Sequence, residues 1–162
     1  MSSSKPDRHE ARDALQLARR YLRFGTRSSA ELRAYLNSHG VAEAEGEAVL
    51  TECARLGWIN DEACATLWAT TLAERGFAWR AVRERLLAKG LDAELIARVI
   101  RPFATQATDE HRASVLVRDR LRGRRLADPR ERSRVARLLT ARGFDHELIE
   151  RVLAASPDSP HE

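Results

Sequence analysis

"LLAKGLDAELIARVI", residues 86–100, returns almost unchanged as "LLTARGFDHELIERVL", residues 138–153. Gly90 and Gly143, Asp92 and Asp145, the Glu-Leu-Ile runs at 94–96 and 147–149, Arg98 and Arg151, and Val99 and Val152 stand at matching offsets. Each copy reads as the corner between two helices. Leucines close the first helix, glycine permits a left-handed turn, and aspartate caps the next helix. The anchor Leu-x-x-x-Gly occurs a third time at Leu36/Gly40, so the corners stand 50 and then 53 residues apart. A period of that length holds three helices of ordinary size with short turns. Two-helix repeats would need nearer 34 residues. The passage therefore predicts an all-α fold: an elongated, curved tandem array of three three-helix modules.

Working outward, apolar residues recur at helical spacing and strand-like alternation is hard to find. Ala11, Ala14, Leu15, Ala18 and Leu22 mark a first helix that Gly25 stops. Ser28 with Glu31 forms a capping box for the second. Asn60 or Asp61 starts the fourth helix, Asp92 the sixth, and Asp145 the ninth. Asp128, Pro129 and Glu131 mark the start of the eighth. Pro102 should disrupt the sixth helix, leaving 104–109 as the linker to the last module. The expected organisation is a flexible start (1–9), modules at 10–57, 58–104 and 105–155, and a disordered tail (156–162).

The composition of the 162 residues, 43% hydrophobic and 32% charged, excludes a disordered chain. No stretch approaches the ~20 apolar residues that span a bilayer, and the start has no signal-peptide core. No membrane association and a cytoplasmic address are expected. Cys53 and Cys64 fall at apolar helical positions and read as buried filler. The net charge is +4, but Arg112 to Arg142 holds eleven arginines against three acidic residues, a local +8. That segment reads either as a solvated helical face or as a surface for phosphates or an acidic protein.

Chemistry is hard to find. The five histidines show no metal-ligand spacing, and there is no phosphate loop, nucleophile elbow or zinc-protease motif. The chain is expected not to be an enzyme and to need no cofactor. Trp68 and Trp79 fall on apolar stripes and read as core, while Trp58 is left open between core and surface.

The residues do resemble a family. "RSSAELRAYLNSHG" (27–40), "GWINDEACATLWATTLAERG" (57–76), "VRERLLAKGL" (82–91) and "LLTARGFDHELIERVL" (138–153) resemble, in order and spacing, the RecX family of bacterial recombinase regulators. The likeness runs from Ala14 to Leu153. Asn60-Asp61 departs from a common Asp pair, Arg85-Leu86 from Glu-Leu, and His39 from a frequent Lys. None of these removes a cap or a core position.

The resemblance implies a non-enzymatic, monomeric modulator that lies in the groove of the RecA filament on DNA. There it would reduce ATP hydrolysis, strand exchange and coprotease activity. Partner contact is expected from Arg118, Arg120, Arg122, Arg124 and Arg125 in the last module, with Arg75, Arg80 and Arg83 in the middle one. Arginine suits the task because its planar fork pairs bidentately with carboxylate or phosphate. A sequence-independent DNA binder is the alternative. Without the resemblance, periodicity alone also leaves room for a helical scaffold of some unrelated protein.

Overall fold

The structure, a computed structural model, describes residues 8–122, 126 and 128–156, with the side chains of 8–12 left aside. Expectations for residues 1–7, for Arg124 and Arg125, and for the tail from 157 onward lie outside the described residues.

Among the described residues there are nine helices and no strands. They are α1 (Arg8–Leu22), α2 (Ser29–Ser38), α3 (Glu43–Arg55), α4 (Asp61–Glu74), α5 (Trp79–Ala88), α6 (Ala93–Gln106), α7 (Asp109–Leu121), α8 (Pro129–Ala141) and α9 (His146–Ala155). Each packs mainly with the other two of its own triplet. Three separate buried clusters result. Leu32, Leu36, Val49 and Cys53 anchor the first, Val82, Leu86 and Ile96 the second, and Val135, Leu139 and Ile149 the third. Hydrogen bonds and ion pairs between triplets run from the first to the second and from the second to the third, which makes the arrangement a linear array.

The caps explain where each helix begins. Ser28 accepts from the Glu31 N–H while Glu31 reaches back to the Ser28 N–H, a complete capping box. Asn60, rather than Asp61, caps α4 through the Ala63 N–H at 2.9 Å. Asp92, Asp128 and Asp145 cap α6, α8 and α9. Thr108 caps α7, a role its sequence context did not single out.

One expectation fails. Pro102 does not end α6, which continues to Gln106. The lost backbone bond is offset by packing: the extra turn lays Phe103 against the second cluster, its ring 6.2 Å from that of Trp79. The linker thus shrinks to Ala107 and Thr108.

Both cysteines are buried as expected, and burial pushes each thiol up from its usual range. Trp68 and Trp79 are partly buried against the second cluster, whereas Trp58 is 39% exposed.

Candidate partner-binding surface

The doubled passage is where one triplet seats on the next. At the first joint the start of α2 meets the turn after α5. The Ser28 hydroxyl donates to the Lys89 carbonyl, and the Ser29 N–H donates to the Asp61 carboxylate at 2.7 Å. At the second joint the start of α5 meets the turn after α8. There the Ala78 N–H donates to the Arg142 carbonyl at 3.0 Å, and the Trp79 N–H donates to Asp109 at 3.0 Å. The glycines of the passage make this approach possible. A Cβ on Gly90 would collide with that of Ala30, and one on Gly143 with that of Ala81. Gly40, which faces no preceding triplet, has nothing within 4 Å of its Cβ position.

The joints place the arginines. Arg112 is not part of a basic surface: it is 9% exposed, donates to the Ala73 carbonyl at 2.9 Å, and lies 4.0 Å over the Trp79 ring. Burial lowers its affinity for the proton, and nearby Asp109 offsets only part of that. Arg142 likewise turns into the second joint, donating to the Arg75 carbonyl and lying 4.7 Å from the Phe77 ring. Two of the eleven arginines in the basic segment are therefore structural.

Of the arginines expected at the surface, Arg118, Arg120 and Arg122 are exposed around the end of α7. Cations there also complement the negative end of the helix dipole. Arg122 holds a left-handed conformation, φ 43°, that an arginine adopts only at a cost of about 1–2 kcal/mol. Arg75 caps the C-terminus of α4, and its side chain is exposed. Arg80 reaches Glu84 at 3.7 Å and the Gly143 carbonyl at 3.3 Å. Arg80 and Arg83 come together in one groove of about 310 Å³ between α5 and α6, and Arg101 joins them there.

Arg101 was not singled out from the sequence. Nor were Arg130, Arg134 and Arg137, which line a second groove of about 420 Å³ on α8. Their spacing of four and three residues puts them on one helix face, which was the available signal.

Among the described residues no cluster of His, Cys, Asp or Glu has the makings of a metal site, and no helix is long and apolar enough to cross a membrane.

These features define a class: an all-helical tandem-repeat protein that presents arginine-lined grooves among its described residues. Similar proteins specify it further. The chain is 34% identical to "Regulatory protein RecX" of Mycobacterium avium, over 95% of this chain and 89% of that one. It is 34% identical to the protein of the same name from Leptothrix cholodnii, over 84% of each. Among solved structures, the crystal structure of RecX from Lactobacillus salivarius superposes with a TM-score of 0.72 at 16% identity, covering 90% of this chain and 96% of that one. A second crystal structure of a regulatory protein RecX gives 0.67 at 20% identity, covering 94% and 80%. No family model matches. The chain belongs to the RecX family.

Proposed function

We propose that the protein is a non-enzymatic regulator that lies in the groove of the RecA nucleoprotein filament and inhibits ATP hydrolysis, strand exchange and coprotease activity. By that route it acts in recombination, repair and the SOS response in the cytoplasm. The observation that carries this reading is the repeated joint, which strings three small bundles into a line. A line of modules contacts successive subunits of a polymer, and weak contacts then reinforce one another through effective concentration. Occupancy alone blocks the filament's substrates.

In this reading Arg118, Arg120, Arg122, Arg124 and Arg125, together with Arg75, Arg80 and Arg83, form the partner surface. Reversing Arg122, Arg124 and Arg125 to Glu weakens inhibition of RecA's ATPase and leaves helical content by circular dichroism unchanged. Undiminished inhibition by that variant removes the patch from the interface.

The second reading, sequence-independent DNA binding, is favoured by the α8 groove, where Arg130, Arg134 and Arg137 face one way. A salt titration on DNA without RecA separates the two. A DNA binder loses affinity steeply with salt, whereas the filament reading expects weak binding at every salt concentration.

A further inference from the structure

Each flanking module pairs a glutamate of its third helix with an arginine of its second, and the middle module has no glutamate at that place. In the first, Glu47 of α3 bridges to Arg33 of α2, with Nη2 to Oε2 at 3.2 Å. In the third, Glu150 of α9 reaches Arg132 of α8 at 3.9 Å. Counting from Gly40, Gly90 and Gly143, the residue equivalent to both glutamates in the middle module is Ala97. This is the one charge difference within the matched α6 and α9 halves of the doubled passage, "ELIAR" against "ELIER". Arg83 is the counterpart of Arg33 in the first module, without that module's glutamate opposite it; in the third module Ala136 stands at this place and Arg132 aligns with Trp79.

The alanine also opens the space. Trp79, Ile96, Ala97 and Ile100 make up the apolar part of the α5–α6 groove, its floor, and Arg80, Arg83 and Arg101 complete the lining. Neither Arg83 nor Arg101 makes an ion pair among the described residues, while Arg80 shares Glu84 across 3.7 Å, with both side chains more than half exposed. Two of the three cations are specific to this module: Arg80 and Arg101 correspond to Ala30 and Thr51 in the first, and to Ser133 and Ala154 in the third.

We infer that the α5–α6 groove is a docking site for an acidic protein segment, in which an aliphatic side chain fills the floor and flanking Asp or Glu carboxylates engage Arg83 and Arg101. The partner carboxylate takes the place that Glu47 and Glu150 hold in the flanking modules. A peptide fits better than a nucleic acid because the groove has no free aromatic face for a base. Arg112 covers the Trp79 ring at 4.0 Å, Phe103 stacks beside it at 6.2 Å, and the indole N–H is spent on the Ala107 carbonyl at 2.9 Å. The remaining floor is aliphatic. The inference extends the proposed function, since it rests on the partner being a protein.

Ala97→Glu tests it, because Ala97 is exposed and the new side chain puts opposite Arg83 the carboxylate that Glu47 puts opposite Arg33 in the first module. Ala97→Gln controls for bulk. The intact chain and both variants are titrated with a labelled short peptide carrying Leu between Asp and Glu, with its Asn/Gln counterpart, and with an oligothymidylate of equal charge. The acidic peptide binds the parent chain, loses affinity at least about tenfold in Ala97→Glu, and loses much less in Ala97→Gln. No binding by the parent chain, equal losses in the two variants, no loss in Ala97→Glu, or a loss confined to the oligonucleotide overturns the assignment. RecA's ATPase is scored separately: a parent chain without effect there sinks the filament reading and leaves the peptide result to stand or fall by itself.

Discussion

The two joints have one backbone plan and two chemistries. At each, the start of a module's second helix sits on the glycine turn of the next module, and an aspartate at the head of that next module's first helix accepts its first free N–H. The first joint is closed by opposite charges. Lys89 lies 3.1 Å from Glu31 and 4.1 Å over the Trp68 ring. The second is closed by cations on aromatic rings, Arg112 on Trp79 and Arg142 on Phe77, with carbonyls accepting their N–H groups. A repeat thus keeps what the main chain requires and lets side chains vary. The glycine and the aspartate belong to the plan; the lysine and the arginines belong to each joint alone.

The largest effect that separates plan from side chain should come from the glycines. Gly90→Ala and Gly143→Ala each force a residue with a side chain into φ near +73° and +83° and drive a methyl into the facing alanine. A loss of about 2–5 kcal/mol is expected in urea denaturation, the left-handed cost and overpacking added together. Gly40→Ala meets open space at φ +79° and should lose only the conformational part, about 1–2 kcal/mol. Equal losses at all three would mean that the close approach across the joints contributes nothing.

Next comes the second joint. Arg112→Ala removes a buried ring contact and the bond to Ala73, with an expected loss of about 1–3 kcal/mol. Arg112→Lys should restore little of it, because an ammonium lacks the planar fork that lies on indole while it donates sideways. Thermal unfolding of the three proteins gives the answer.

The smallest effect belongs to the charged side chains of the first joint. Burial pushes the Glu31 carboxyl up, but the Ser28 N–H, Lys89 and Arg27 outweigh it, so its folded pKa lies below the ordinary 4.5. A lowered carboxylate contributes stability that is fully present above the unfolded value and is lost as pH falls through the folded one. Glu31→Gln should therefore cost about 1 kcal/mol near neutrality, and the gap from the parent chain should close as the solution is acidified below pH 4.5. Added salt should narrow the same gap, while leaving the Arg112→Ala deficit largely in place.

What was legible in the sequence was local. Ser28 with Glu31, Asp92, Asp128 and Asp145 announce helix starts because a cap and the N–H groups it satisfies lie within three residues of one another. The glycine turns announce themselves for the same reason. The joints did not, because their partners are distant: Ser28 and Lys89 are 61 residues apart, and Arg112 and Ala73 are 39. Periodicity places Arg112 beside other arginines and gives no sign that an indole covers it. Pro102 misled because its local cost is visible in sequence and the compensating Phe103 contact is not. Arg80 and Arg83 were legible as middle-module arginines, yet their groove, and Arg101 within it, depend on how α5 lies against α6.

The account as a whole is tested most directly by RecA's ATP hydrolysis on single-stranded DNA with the intact chain titrated in. The rate should fall to a low plateau as the protein saturates the filament, with no chemical change in the added chain. A rate that stays at its starting value when the protein is in excess would contradict the claim that this array works by lying along that polymer.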